Sequence, residues 1–153
     1  MKPGKALDLG VGKFYGVAGM KLNGWRCEGV DKTTGVDLEK KYLSPRRPFD
    51  LVYSNYVLHK LKKPEQLLKT ANLNLKPKGW LFLHTFDQTD KISKTKFSKI
   101  FLTKLLKKTG FQNISTYIFS FYDNEPGHKH WHRILEATAQ KRKVFSRNQA
   151  KRA

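Results

Sequence analysis

The sequence predicts an α/β fold in which a mostly parallel sheet has helices on both faces and ends in an antiparallel pair of strands. Two observations carry this prediction. Up to residue 110, short apolar runs alternate with segments whose apolar residues recur at helical spacing. After that point, two β-rich runs follow each other with no helix between them, as antiparallel neighbours do.

The first part of the chain predicts a strand, a turn and a helix, followed by two further strands. Lys5–Leu9 is the first apolar run, and Gly24 ends the helical segment 13–23. The apolar runs at 25–31 and 49–54 predict the next strands, and the second of them is typical of a strand covered on both faces. The apolar side of the helix is predicted to hold Phe14, Val17, Ala18 and Leu22.

The middle of the chain predicts two helices on either side of a fourth strand. Pro64 and Glu65 are typical of a helix start, and the breaker at 76–79 ends this helix. Residues 80–84 then form a fourth apolar run, and residues 93–109 predict an amphipathic helix with a basic outer side. The apolar stripe of that helix is predicted to hold Phe97, Ile100, Phe101, Leu105 and Leu106.

The C-terminal part predicts the closing strand pair at residues 111–122 and 133–138, separated by the turn-rich segment 123–127 and a histidine cluster. Residues 141–153 carry six basic side chains, no acidic one and little apolar content, which predicts a disordered tail. We therefore predict one domain over residues 1–140 and a basic tail over residues 141–153.

The chain is strongly basic, with 31 Lys and Arg against 12 Asp and Glu and a formal net charge of +19. The excess grows along the chain, from +4 over residues 1–55 to +9 over 56–140, and the last thirteen residues add +6. This distribution favours contact between the C-terminal half and a polyanion, for which nucleic acid is the natural candidate. Lysines that keep a small protein soluble, or the general composition of the source proteome, remain the alternatives.

The single cysteine, Cys27, lies in an apolar run and is interpreted as a buried strand residue, which indicates a reducing, intracellular setting. The sequence has no signal-peptide pattern and no apolar stretch of the roughly 18 residues that a membrane span needs. We therefore expect a soluble, cytoplasmic protein with no membrane partner.

A glycine turn after the first strand is the most informative motif. The strand runs into Gly10 and Gly12, and Asp31 follows at the tip of the second strand. This pattern predicts a Rossmann-like, doubly wound fold that binds an adenosine-bearing cofactor, because glycines admit close backbone approach and a carboxylate accepts ribose hydroxyls. An NAD fingerprint is disfavoured, since Tyr15 stands where its third glycine belongs and Asp8 where an apolar residue is usual.

Five blocks in the same order resemble the class I S-adenosylmethionine-dependent methyltransferases, over roughly residues 4–140. The blocks are residues 7–12, Asp31, residues 49–52 followed by 56–61, residues 75–79, and residues 109–111. The resemblance implies S-adenosylmethionine as cofactor, with Asp8 at its methionine end, the backbone of Gly10 and Gly12 packed against it, and Asp31 on its ribose.

The resemblance also suggests residues for the adenine and the acceptor. Asp37, in the remnant of an acidic motif, is a candidate for the adenine amino group, with a solvated loop acid as the alternative. Asn55, at the tip of the third strand, is assigned to cofactor binding and, together with His59, to catalysis. The imidazole of His59 can take a proton near neutral pH, although a capping or packing role is equally open. His84 is expected to be a buried, hydrogen-bonded residue rather than a base.

Three departures from the family pattern qualify this interpretation. Phe14 replaces the third glycine of the first motif, and it either crowds the site or tightens the turn. Five residues separate Asp31 from Asp37, which is too few for the usual helix and strand, so one such unit is expected to be reduced. Met1 lies just before the first strand, so the helices that precede it in the family are missing and the substrate side is expected to be open.

No metal site is predicted. His128, His130 and His132 alternate, but no cysteine or well-spaced carboxylate accompanies them, so we interpret this cluster as a polar hairpin lip. The segment 54–57 reads Ser-Asn-Tyr-Val and lacks the prolines of the amino-directed members, which disfavours methylation of exocyclic amines.

Three functional hypotheses follow from these observations. The first is a minimal methyltransferase that acts on an undetermined acceptor, with RNA or a ribosome-associated target favoured by charge. The second is an inactive methyltransferase-like domain that serves as an RNA-binding or assembly subunit. The third is a small-metabolite methyltransferase. A partner chain or a second copy is expected to cover the open substrate side.

Overall fold

The computed structural model describes residues 1–92 and 96–143, and strands alternate with helices over most of this length. Single 3-10 turns at Lys32–Thr34 and Leu58–Lys60 lie in the loops. In chain order the elements are β1 (Lys5–Leu9), α1 (Tyr15–Leu22), β2 (Arg26–Val30), β3 (Phe49–Asn55), α2 (Pro64–Asn74), β4 (Leu75–Phe86), α3 (Lys99–Lys108), β5 (Phe111–Asp123) and β6 (His130–Lys141).

All six strands form one sheet in the order β2-β1-β3-β4-β6-β5. The first four are parallel, and β6 pairs antiparallel with both β4 and β5. The predicted mostly parallel sheet with an antiparallel C-terminal pair is therefore confirmed. Because parallel strands end at the same edge, the turns that follow β1, β2 and β3 meet there, and this carboxyl edge is where ligands bind in such sheets.

The connection from β2 to β3 is short of regular structure. Residues 31–48 hold the 3-10 turn Lys32–Thr34 and no further helix or strand among the residues that the structure describes. The predicted reduction of one helix and strand unit is therefore confirmed, and β2 forms one edge of the sheet.

Helices lie on both faces of the sheet. On one face, α2 and α3 pack through leucines such as Leu68 and Leu102 onto the larger of two hydrophobic clusters, which includes Leu7 of β1. On the other face, α1 packs through Val17 onto a smaller cluster that includes Ala6 of β1. Neighbouring residues of β1 thus point to opposite faces, as strand geometry requires.

The α1 side of the sheet is only partly covered. There, aromatic and polar side chains of β4, β5 and β6 are half-buried or exposed, and Tyr117 is 61% exposed. We call this surface the open face; its central residues are Phe82, His84, Phe86, Tyr117, Phe119 and Glu136.

The predicted apolar side of the first helix is wrong for three of its four residues. Phe14 precedes α1 in the left-handed conformation and is 42% exposed, Ala18 is exposed, and Leu22 is 89% exposed. Only Val17 is buried. The helix has eight residues and turns Gly16 toward the sheet, where Cβ would lie 3.2 Å from the Asp8 carboxylate, and this rotates the predicted stripe away from the core.

The stripe of the last helix is also partly wrong. Ser98 caps α3 by accepting a hydrogen bond from the Phe101 backbone, so Phe97 is buried ahead of the helix rather than in it. The phase of α3 then buries Leu102, Leu105 and Leu106, and leaves Ile100 and Phe101 exposed. Residues 93–95 of the predicted helix lie outside the described residues.

Two boundaries differ from the prediction because strand pairing continues beyond the local signal. The predicted breaker at 76–79 lies within β4 as an irregularity in its pairing with β3. At the other end, β6 runs to Lys141, whose ammonium donates to the carbonyl oxygens of Asn72 (2.6 Å) and Leu75 (2.7 Å). The predicted tail from residue 144 onward lies outside the described residues.

No helix in the described parts of the chain is both long and apolar enough to cross a bilayer.

Candidate active site

The turn after β1 needs glycine at two positions for different reasons. Gly10 has φ +102°, and a Cβ there would lie 2.2 Å from Val57 Cγ2. Gly12 has φ +53° and faces open space, with no atom within 4 Å of the Cβ position. The Gly10 N–H donates to the Val30 carbonyl at 2.8 Å and ties the turn to the end of β2. The turn thus leaves a gap above Gly12 that a ligand can enter.

Asp31, directly after β2, holds this turn and the next one. Its Oδ2 accepts the Gly12 N–H at 2.8 Å, and its Oδ1 accepts the N–H (2.7 Å) and hydroxyl (2.5 Å) of Thr33. These hydrogen bonds, that from the Thr33 hydroxyl first, hold the pKa of Asp31 below its ordinary value. Asp31 is therefore an ionised carboxylate at neutral pH.

A cleft of about 350 Å³ opens between the glycine turn and the loop after β2. It brings together four of the predicted cofactor residues, Gly10, Gly12, Asp31 and Asp37. We call it the acidic cleft; its lining residues are Gly10, Gly12, Asp31, Lys32, Thr33, Val36, Asp37, Leu38, Glu39, Val57, Lys60 and Leu61.

The far wall of the acidic cleft is set by hydrogen bonds from backbone N–H groups to side-chain carboxylates rather than by a helix. Asp37 accepts the Glu39 N–H at 3.0 Å, which folds the loop back on itself. Glu39 in turn accepts the N–H groups of Lys62 (2.6 Å) and Lys63 (3.0 Å), which precede α2. Buried Leu38 anchors the loop in the core.

Asp8 does not line the acidic cleft. It is 5% exposed, and it lies beneath α1 beside Gly16 and Tyr53. Burial raises the pKa of Asp8 to about 6 and nearby Asp31 raises it as well, whereas a hydrogen bond from Tyr53 lowers it. Asp8 is therefore poised to change its charge when a cation comes near.

Phe14, which replaces the third glycine of the family motif, also lies outside the cleft lining. Its left-handed backbone (φ 65°) turns the side chain outward, and 42% of it is exposed. Phe14 therefore does not crowd the acidic cleft.

The segment after β3 separates the acidic cleft from the open face. Val57, Lys60 and Leu61 line the cleft. Tyr56 and His59 instead contact Phe86 of the open face, with ring centroids 5.6 Å and 4.7 Å away. Asn55 and His59, the two predicted catalytic residues, are both absent from the cleft lining, and Asn55 was also predicted to bind the cofactor.

Their environments differ. Asn55 is exposed at the end of β3. His59 is half-buried, and desolvation together with the charge of Lys60 lowers the pKa of its imidazole to about 4. A neutral imidazole with so low a pKa is a weak proton acceptor.

An imidazole and carboxylate pair on the open face was missed at the sequence level. His84 Nε2 and Glu136 Oε2 are 2.9 Å apart, on residues of β4 and β6 that lie directly opposite each other. Aromatic rings of Phe82 (4.7 Å), Phe119 (5.6 Å) and Tyr56 (5.9 Å) surround the imidazole. The predicted hydrogen bond of His84 is present, but its partner is 52 residues away and only strand register could have found it.

The histidine cluster is divided between two environments. His132 is buried and its Nδ1 lies 3.1 Å from Asp90 Oδ2, while His128 is exposed. Within residues 1–92 and 96–143, no three His, Cys, Asp or Glu side chains are grouped as metal ligands.

Comparisons with known proteins agree with this geometry. A family model described as a methyltransferase domain matches residues 1–148. No curated protein matches the sequence. An S-adenosylmethionine-dependent methyltransferase from Methanosarcina mazei has a TM-score of 0.76 at 16% identity, with 94% of this chain and 95% of that chain covered.

Two further structures have the same fold. A complex of the Haloferax volcanii Trm112 methyltransferase activator with a methyltransferase gives a TM-score of 0.73 at 14% identity, covering 95% of this chain and 86% of that one. Haemonchus contortus phosphoethanolamine N-methyltransferase 2, with phosphomonomethylethanolamine and S-adenosylhomocysteine, gives 0.69 at 17% identity. This comparison covers 94% of the present chain, which spans about half of the Haemonchus enzyme (50%). The chain therefore belongs to the methyltransferase domain family, and it shares its fold with S-adenosylmethionine-dependent methyltransferases of known structure.

Proposed function

We propose that this chain transfers the methyl group of S-adenosylmethionine to an acceptor, with the cofactor's nucleoside in the acidic cleft. The observation that carries the proposal is the convergence on one cleft of Gly10 and Gly12, from the loop after β1, with Asp31 and Asp37, from the loop after β2. Its volume of about 350 Å³ lies within the range of about 300–1,000 Å³ typical of small-molecule sites.

The residues present fit such a ligand. Asp31 is ionised and points its carboxylate to the turn, so it would hold the ribose hydroxyls, and Asp37 would accept the adenine amino group. Gly12 leaves room where any side chain would project. The ammonium of the methionine end would stabilise the ionised carboxylate of Asp8 beneath the turn. When bound, the cofactor supplies an electrophilic methyl group on sulfur, so the chain mainly provides alignment.

We further propose that the acceptor approaches over the open face, beside Tyr56. Its aromatic surface offers stacking, and Asn55 offers a hydrogen bond at the end of β3. If Nε2 of His84 donates to Glu136, then Nδ1 is the proton acceptor of that imidazole. The His84 and Glu136 pair is a better candidate for the general base than His59, because the pKa of His59 is too low for an effective base.

The role of His84 and Glu136 can be tested directly once a methyl acceptor is identified. Glu136→Gln should slow methyl transfer about tenfold or more while leaving cofactor affinity unchanged. An unchanged rate would contradict it.

The charge of the chain favours RNA as the acceptor, in a cytoplasmic protein. Likeness to the Haemonchus enzyme supports the small-metabolite alternative, and the Haloferax complex supports the existence of a partner chain. The small metabolite remains second to RNA as the acceptor because it does not explain a net charge of +19. The inactive-domain hypothesis is weakened at one point, since Phe14 stays outside the lining of the acidic cleft.

Titration calorimetry with S-adenosylmethionine tests the proposal. We expect one site per chain, and Asp31→Asn should weaken binding by about tenfold or more because a charge-assisted hydrogen bond to the ribose is lost. Glu125→Gln, a matched change on the exposed hairpin, should leave the affinity unchanged. Equal affinity of wild type and Asp31→Asn would contradict the assignment of the ribose.

A further inference from the structure

A second cleft lies at the opposite edge of the sheet, where β1 and β2 begin. Its volume is about 590 Å³. We call it the basic cleft; its lining residues are Lys5, Lys21, Arg26, Cys27, Glu28, Pro45, Arg46, Arg47 and Phe49. Five of these nine residues are cationic and one is acidic. The first half of the chain, which has the smallest charge excess in the sequence, thus contains a concentrated patch of positive charge.

The acids near the basic cleft are already engaged in holding the fold. Glu28 accepts a hydrogen bond from the Ser44 hydroxyl at 2.5 Å and lies 3.5 Å from Arg46. Asp50, just outside the lining, accepts the Lys5 backbone N–H at 2.7 Å and pairs with Lys76. Neither carboxylate is therefore free to neutralise the remaining cations of the cleft.

Three cations of the basic cleft are left for a ligand. Lys21, Arg26 and Arg47 are exposed, and none has a carboxylate within 4 Å in the part of the chain that the structure describes. Arg47 Nη1 donates to the Ser44 carbonyl at 3.4 Å, and Arg26 interacts with Asp50 electrostatically without forming an ion pair within 4 Å. Like charges held around one concavity repel each other, so the arrangement costs stability unless an anion binds there. Arginine is also the side chain best suited to phosphate, because its planar guanidinium donates two parallel hydrogen bonds.

We propose that the basic cleft binds the phosphate backbone of single-stranded RNA. The cleft has the size of a small-molecule site, which admits a nucleotide segment but not a duplex. Its apolar residues Cys27 and Phe49 are buried and Pro45 is the one exposed apolar residue of the lining, so the cleft lacks the large apolar side chains that insert into a bilayer. The choice of RNA rests on the proposed function, whereas the phosphate chemistry rests on the cleft itself.

The positions of the two clefts fit this division of roles. The acidic cleft, with Asp31, Asp37 and Glu39, lies at the carboxyl edge and suits a cationic cofactor. The basic cleft lies across the length of β1, a five-residue strand of about 16 Å, and suits a polyanion. The RNA phosphates held at the basic cleft are therefore separated from the carboxylates that bind the cofactor, and a different segment of the same RNA would reach the methyl group.

The test is fluorescence anisotropy of a labelled twelve-nucleotide oligouridylate over a range of salt concentrations, with the full chain. Arg26→Glu/Arg47→Glu should weaken binding about 10- to 30-fold at 0.1 M salt and reduce the slope of log affinity against log salt by about 1.4, since two phosphate contacts are lost. Lys104→Glu/Lys129→Glu, which removes the same charge from exposed sites elsewhere, should weaken binding by less than about threefold.

Equal losses in the two variants would overturn the proposal, because binding would then follow net charge and not the cleft. If the glutamate variant fails to fold, Arg26→Gln/Arg47→Gln takes its place. Inorganic pyrophosphate serves as competitor, and a cleft that binds it while the wild type shows no affinity for RNA would overturn the assignment to RNA. Calorimetry with S-adenosylmethionine on the same variants should show unchanged cofactor affinity, so failure of RNA binding and failure of the proposed function are distinguishable.

Discussion

At the scale of single residues, the buried carboxyl group of Asp8 lowers the stability of the fold when no ligand is bound. A carboxyl group that is 5% exposed loses its hydration, and the hydrogen bond from Tyr53 compensates only in part, which leaves its pKa at about 6. A cation bound nearby would remove this penalty. The same burial that weakens the fold without a ligand therefore favours a ligand with an ammonium group.

This penalty has a definite dependence on pH. Between 3.8, its ordinary value, and about 6, folded Asp8 keeps a proton that the unfolded chain releases, so its contribution to the free energy of unfolding falls as pH rises through this window. The cost is about 3 kcal/mol at pH 7 and vanishes below pH 4. In urea unfolding, Asp8→Asn should gain about that much relative to wild type between pH 4 and pH 7. A difference that does not vary with pH would contradict this account.

Substitutions of Gly10 and Gly12, in the turn after β1, should differ in their effects on stability and on cofactor binding. Gly12→Ala should cost about 1–2 kcal/mol for its left-handed backbone, and its methyl group should reduce cofactor affinity by occupying the cleft. Gly10→Ala should destabilise the fold more, because Val57 must also move. Thermal unfolding and calorimetry on both variants measure the two effects. Wild-type cofactor affinity in Gly12→Ala would place the ligand elsewhere.

The sequence was sufficient to predict Gly10, Gly12, Asp31 and Asp37 as neighbours, because each follows a strand at the same edge and turn chemistry is local. It was not sufficient for the burial of Asp8, which depends on how closely Gly16 lets α1 approach the sheet.

At the scale of elements, helix phase depends on where each helix begins. Apolar spacing alone assigned Ile100 and Phe101 to the core, whereas the cap at Ser98 fixes a phase that buries Leu102 and Leu106. The strand pairing of His84 with Glu136 could not be predicted from the sequence for a related reason, because register between distant strands is a tertiary property.

Two alanine substitutions in α3, one at a buried position and one at an exposed position, test which face of the helix is buried. Leu102→Ala should cost about 2–5 kcal/mol in the free energy of unfolding, because it leaves a cavity in the larger hydrophobic cluster. Ile100→Ala, two residues earlier and 70% exposed, should change it by less than about 0.5 kcal/mol. Chemical denaturation of both variants provides the measurement, and similar losses would mean that the helix has a different phase.

At the scale of the whole molecule, the sheet has a cleft with three carboxylates and two lysines at one edge and a cleft with five cations and one carboxylate at the other. The mostly parallel sheet with an antiparallel C-terminal pair was predictable because strand and helix signals alternate along the chain and then stop alternating after residue 110. The basic cleft was not, because Lys5, Lys21, Arg26 and Arg47 come from separate segments and counts along the sequence place the charge excess later in the chain.

The central claim is that the acidic cleft binds S-adenosylmethionine, and amide chemical-shift mapping by NMR tests it most directly. On titration, the largest shifts should fall on Gly10, Gly12 and residues 31–39, with Gly12 foremost because its N–H is bonded to Asp31. The amides of the basic cleft, such as Arg26 and Arg47, should stay unchanged. Shifts centred on the basic cleft, or none at millimolar ligand, would contradict the claim.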